Sequence, residues 1–210
     1  MDNFNSKISR HSVLLGSLLF FIFGLPFLLT TSIGPYLISL SISIILASKY
    51  LLLESNNSFF KYTVLLSLIL TLLLPFIHHN YFFYFTYVFI TIVFLITAGM
   101  LLSQIATARR VNSLLIVEAV IGYLLLGVIL VVINEMIVLY NPMAFSVHNM
   151  GFANSIYFSF ATLTTIGYGD ISPVSQLAKT ISIFGGLTGQ LYLTIIIAFI
   201  VGKFSANQRK

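Results

Sequence analysis

The chain has 210 residues, 59% of them hydrophobic and only 7% charged, with a mean hydropathy of +1.05. A soluble domain of this size carries about 25% charged residues, so the composition excludes an ordinary soluble fold and predicts an all-α membrane protein. The net charge of +5 comes without a basic stripe, which argues against a nucleic-acid partner. With no cysteine in the chain, nothing follows about redox compartment.

Six apolar spans are expected in chain order. A polar start carrying Lys7 and Arg10 precedes an apolar run over 13–30. That run is longer than the core of a signal peptide, and no small-residue cleavage site follows it, so it reads as a retained first span. Gly24 and Pro26 are tolerable inside it because neighbouring helices can satisfy freed backbone groups. The further spans are 35–53, 59–77, 81–103, 114–139 and 175–203, each near the ~20 residues that cross a hydrocarbon core. Lys7, Arg10, Lys49, Lys61, Arg109, Arg110, Lys203, Arg209 and Lys210 all fall on one side of this topology and Lys179 on the other. Basic residues concentrate in cytoplasmic loops. Both termini are therefore expected in the cytoplasm, with the loop between spans five and six entering from the outer face.

Within that loop, residues 140–151 are polar, and the apolar stretch 152–163 is too short to cross. It reads as a re-entrant pore helix whose C-terminal dipole end aims at the membrane centre, where a cation needs stabilising. Thr164-Thr165-Ile166-Gly167-Tyr168-Gly169-Asp170 follows. Irregular backbone at this depth is tolerated only where it lines a watery path. A filter for K⁺ replaces the ion's hydration shell with rings of backbone carbonyls. Bringing successive carbonyls to one side requires residues of alternating backbone handedness, and glycine reaches positive φ without steric cost. Gly167 and Gly169 have that spacing. The rings are expected from the carbonyls of Thr165, Ile166, Gly167 and Tyr168, with the Thr165 hydroxyl at the inner mouth and Ile166 and Tyr168 turned outward as wedges.

The heptapeptide resembles the signature of tetrameric P-loop potassium channels. More loosely, over about 112–204, Gly122-Tyr123-Leu124-Leu125-Leu126-Gly127 and Gly189-Gln190-Leu191-Tyr192 resemble bacterial six-span ion-channel-domain proteins that carry an extra membrane region before the pore. The resemblance implies a fourfold homotetramer in the bacterial inner membrane and a passive K⁺-selective channel, with K⁺ as transported ion. No cofactor, enzymatic activity or soluble ligand-binding domain is expected. Spans and resemblance together divide the chain into a four-helix module (1–103), in which no motif is seen, a cytoplasmic linker (104–113), a pore domain (114–204) and a tail (205–210). Tyr157, Thr164, Gly169 and Asp170 are expected as filter supports. Tyr157 and Phe158 stand where the family commonly has two tryptophans, and a Tyr157 to Asp170 hydrogen bond is expected. Ala161 stands where some members have a bracing carboxylic acid, so the filter should have fewer braces and inactivate readily.

Gly189 matches the family's hinge glycine. Gly185 and Gly186, one turn earlier, should let the helix approach the pore helix. Gln190 would leave unsatisfied groups in lipid, so it is placed toward the cavity, with Thr194 or Leu193, Ile197 and Val201 following on one stripe as cavity wall and inner gate. Glu118 and Glu135 in span five read as packing or functional acids. His78 and His79 read as an interfacial pair, since adjacent helical positions point about 100° apart. A weakly selective cation channel, or a K⁺ transporter or uptake subunit, are the competing functions.

Span four holds the voltage-sensor position of six-span relatives, yet residues 81–103 contain no Lys or Arg. Each charge moved is worth about 2.3 kcal/mol per 100 mV. A gating-charge measurement is expected to return no multi-charge displacement per tetramer.

Overall fold

The computed structural model describes residues 2–29, 34–52, 58–77, 80–108, 112–148 and 150–208, with side chains described over 11–29, 34, 36–48, 61–77, 81–108, 112–148 and 150–203. His78, His79, Arg109, Arg110, Arg209 and Lys210 lie outside the described residues, as do the side chains of Lys7, Arg10 and Lys49. The chain forms helices α1 (Asp2–Leu19), α2 (Leu25–Leu28), α3 (Gly34–Leu52), α4 (Ser58–Leu73), α5 (Asn80–Thr107), α6 (Ser113–Tyr140), α7 (Phe152–Leu163) and α8 (Gln176–Gln208). Among the described residues, four stretches are long and apolar enough to cross a membrane: His11–Leu28, Tyr81–Thr107, Ser113–Tyr140 and Gln176–Lys203. This is an integral membrane protein. The expected second and third spans carry shorter apolar helical stretches, Tyr36–Ser48 and Lys61–Phe76.

Proline explains two departures from regular helix. Pro26 cannot donate to the ladder, and before it the chain widens into a π-turn, Phe20–Gly24, closed by the Leu25 N–H on the Phe20 carbonyl five residues back. Pro75 sits in a 3₁₀ turn, Leu74–Phe76, that ends α4 short of the expected boundary.

The chain divides into two compact units, Met1–Phe94 and Leu95–Lys210, and the division falls inside α5. In the first unit α3 packs against α1 and α4. Its core includes Leu18, Phe21, Leu25, Ile42, Ile45, Leu46 and Val64, and Ser43 and Thr71 share a buried 2.8 Å hydrogen bond between α3 and α4. Such short hydroxyl residues let helix backbones approach closely and supply interhelical bonds, the usual glue where lipid removes the hydrophobic drive.

The second unit is built on α6, α7 and α8, each packed against the other two. Asn112 starts α6, its side chain accepting from Leu115 N at 2.9 Å. Further along α6, Asn134 Nδ2 donates to Ser159 Oγ of α7 at 2.8 Å, in a buried pair. The two glycine-tyrosine motifs interlock here. Gly122 leaves room for the Tyr192 hydroxyl, which donates to the Ala119 carbonyl at 2.7 Å, and Tyr123 packs on Tyr192 with ring centroids 5.7 Å apart. Gly127 gives its space to the Phe160 ring, and Gly189 lies directly on the Leu163 carbonyl at the end of α7. Of the two glycines one turn earlier, Gly185 faces Leu130 of α6, and Gly186 approaches α7 near the Thr162 carbonyl.

A methyl at position 189 would collide with backbone that has nowhere to relax, whereas one at Gly99 would meet nothing within 4 Å. Overpacking of this kind costs about 1–3 kcal/mol. Gly189→Ala is expected to lower the thermal stability of the purified protein, and Gly99→Ala to leave it unchanged or raise it; paired melts in detergent check this.

Candidate functional site

At 12 residues, α7 is about 18 Å long, too short to span the hydrocarbon core. Its C-terminus tightens rather than frays. Thr164 N donates to the Phe160 carbonyl at 3.0 Å, Thr165 N to Thr162 at 3.0 Å and Gly167 N to Ala161 at 3.2 Å. The Thr164 hydroxyl folds back on the Phe160 carbonyl at 2.7 Å, and Tyr123 donates to the Leu163 carbonyl at 3.3 Å.

Beyond these bonds the backbone follows no regular element, and its handedness alternates. Thr165 has φ 59°, Gly167 φ 53° and Gly169 φ 82°, while Ile166 and Tyr168 stay at negative φ. Alternation of this kind turns successive carbonyls toward one side. The two glycines adopt it freely. Thr165 does not: a β-branched residue in the left-handed region is a steric outlier costing about 1–2 kcal/mol. Thr165 is the only such non-glycine residue among those described, and strain of this size persists where surrounding structure over-determines it.

Behind this segment, Tyr157 of α7 makes two contacts. Its hydroxyl donates to Asp170 Oδ1 at 3.0 Å, the bond expected from the sequence, and its ring stacks on Tyr168 with centroids 6.4 Å apart and planes 6° apart. The carboxylate acceptor, first, then desolvation, raises the Tyr157 phenol above its ordinary value, because deprotonation forfeits the bond. Phe158 turns the other way. It is buried and meets Phe145 edge-on at 5.1 Å, in a cluster with Ile137, Ala144, Met150 and Ala178.

On the far side of Asp170 the chain is stitched to the loop that follows α6. Phe145 and Pro173 form an antiparallel bridge, and Ser146 N donates to the Ser172 carbonyl and Val174 N to the Ala144 carbonyl, both at 2.8 Å. Serines carry little periodicity signal, so this attachment was not legible in the sequence.

The α8 residues differ in burial. Gly189, Tyr192 and Ile196 are buried against the rest of the unit. Gln190, Thr194, Ile197 and Val201 are exposed, with Ile197 60% and Val201 57% exposed, and so are Leu191, Leu193, Ile195 and Phe199 between them. In α6, Glu118 is buried, Asn134 Oδ1 is buried without a hydrogen-bond partner, and the buried Glu135 carboxyl lies beside the buried Ser155 hydroxyl of α7. Lys203 does more than mark topology: its Nζ caps the end of α5, donating to the Ile105 and Ala106 carbonyls at 2.8 and 2.9 Å, where a cation complements the helix dipole. No group of three His, Cys, Asp or Glu suited to a metal occurs among the described residues.

The ion channel family model matches residues 119–206. This stretch is similar to ion channels. The match runs from the second turn of α6 through α7 and the alternating segment to nearly the end of α8, so it covers the geometry just described and supports an ion-channel function for an integral membrane protein. No curated protein and no solved structure matches the chain.

The Tyr157 to Asp170 bond exists only while the phenol keeps its proton, so it is present at neutral pH and lost as pH rises through the raised Tyr157 pKa. Asp170→Asn removes the carboxylate and should return Tyr157 toward the usual value of about 10. Titration of ring-labelled tyrosine resonances checks this; identical Tyr157 curves in the two proteins would disprove the coupling.

Proposed function

We propose that the chain is one subunit of a homotetrameric, K⁺-selective channel, with Thr165, Ile166, Gly167 and Tyr168 supplying the carbonyl rings that bind the ion. The observation that carries this reading is the alternating handedness at Thr165, Gly167 and Gly169. A dehydrated K⁺ needs a dense set of weak oxygen dipoles, and a backbone of alternating handedness presents one carbonyl per residue. One segment per chain provides one side of the ring, so closure requires cyclic assembly. The surface left bare in a single chain fits that requirement: Tyr168 is 73% and Ile166 55% exposed although both follow an apolar pore helix. Tyr157, Thr164, Gly169 and Asp170 act as supports in this reading, and Gly189 is the point about which α8 moves.

The exposed stripe Gln190, Thr194, Ile197 and Val201 lines the cavity below the filter and grows apolar toward the inner end, where four-fold rings of Ile197 or Val201 close by dewetting. The basic residues set the inner face of a bacterial cell membrane, with both termini cytoplasmic. Flow is passive and is not driven by an arginine-bearing sensor.

Gly167 at φ 53° has nothing of its own chain within 4 Å of where a Cβ would sit, so within the subunit Gly167→Ala acts through backbone strain, about 1–2 kcal/mol, repeated in every subunit. Tetramers in liposomes are expected to pass K⁺ and exclude Na⁺, and the variant to lose selective flux. Equal K⁺ and Na⁺ flux through the unmodified protein would favour the weakly selective reading; uphill K⁺ movement would favour a transporter.

A further inference from the structure

The proposed filter has a fixed inner end, where Thr164, Thr165 and Gly167 bond back to α7, but its outer end leaves the pore helix. There Tyr157 holds it through a single side-chain hydrogen bond to Asp170, as exposed as the contact that follows it in the chain. The next attachment is made by one residue. Ser146 N donates to the Ser172 carbonyl at 2.8 Å, and Ser146 Oγ accepts from Ser172 N at 2.9 Å. Both backbone groups of Ser172, two residues beyond Asp170, are thus gripped by a single serine.

That serine stands on firm ground. Ala144, two residues earlier, is fully buried, and its carbonyl receives Val174 N at 2.8 Å and Ser175 N at 3.1 Å. Ala144 N in turn donates to the Asn141 carbonyl, and Asn141 N to Ile137 in the last turn of α6. Between them, the Phe145 ring sits buried against Phe158 of the pore helix. A hydrogen-bonded path therefore runs from α6 to the outer limb, and Pro173, which has no N–H to offer, sits in the bridge without leaving a donor unpaired.

We propose that Ser146 is a positioning residue for the outer mouth of the filter: by holding both backbone groups of Ser172 it keeps the limb after Asp170 in register with α6 and the pore helix. The proposal rests on the channel reading above for its functional consequence, but not for its structural one. The side chain is what makes it specific. Any residue at 146 supplies the N–H, and a hydroxyl on Cβ supplies the acceptor for Ser172 N. Ser146→Ala removes only the latter, and Ser146→Thr retains it.

The test is amide hydrogen exchange at Ser172 in the purified full chain, with K⁺ flux through liposome-reconstituted protein as the second arm. Ser146→Ala is expected to speed Ser172 exchange by about 2–10-fold, the equilibrium value of one net hydrogen bond, and Ser146→Thr to restore it. In the flux arm Ser146→Ala should make K⁺ flux decline faster, and raised outer K⁺ should slow that decline, because an ion bound only by the intact filter stabilises it by mass action. A general folding defect lacks that K⁺ dependence. Unchanged Ser172 exchange in Ser146→Ala overturns the proposal, as does equal exchange in the Ala and Thr variants or a decline indifferent to K⁺. Failure of the unmodified protein to select K⁺ would overturn the channel reading instead, leaving Ser172 exchange to decide the clamp.

Discussion

Backbone polar groups inside a membrane have only protein, enclosed water or ions to bond with, and the segment from Thr165 to Gly169 forms no helix or strand in which to bond itself. The rest of the second unit follows from that constraint. A segment of alternating handedness must be held at both ends, because left-handed Thr165 is costly and relaxes unless its neighbours forbid it. The inner end is held by the last carbonyls of α7, and the outer end by Tyr157 and by the strip of chain around Ser146.

Holding the segment in turn fixes how α6, α7 and α8 pack. The Leu163 carbonyl, last in α7, takes the Tyr123 hydroxyl from α6 and the bare face of Gly189 from α8. Three helices therefore converge at the point where the irregular backbone begins. Tyr192 locks α8 to α6 through the Ala119 carbonyl, and lower down Ile105, Leu115, Ala119, Tyr192 and Ile196 form one apolar cluster with Lys203 capping α5 nearby. Movement of the inner half of α8 would disturb that cluster and the Lys203 cap, whereas the convergence at Leu163 holds its upper half.

Much of this was legible in the sequence, where the physics is local. The long helices of the second unit follow from apolar length, and the short α7 from an apolar run of only 12 residues. Gly167 and Gly169 marked two of the three left-handed residues because only glycine reaches that region freely. The Tyr157 to Asp170 bond was readable from a polar tip standing where tryptophan is usual. Thr165 was not read as left-handed, because a β-branched residue normally argues against positive φ and only its surroundings impose it. The glycine-tyrosine motifs were visible as letters, yet which glycine serves which neighbour depends on how three helices cross. Gly185, expected against the pore helix, in fact meets Leu130. Ser146 gave no signal at all, since its importance comes from a partner 26 residues away.

The proposed function comes down to the carbonyls of Thr165, Ile166, Gly167 and Tyr168 binding K⁺ in preference to Na⁺. It is tested most directly by ¹³C-carbonyl labelling at those residues, with solid-state NMR of the lipid-embedded protein as K⁺ is exchanged for Na⁺. These resonances are expected to change between the two ions while a labelled Leu191 carbonyl within α8 does not. Identical filter-carbonyl resonances in K⁺ and in Na⁺ would contradict it.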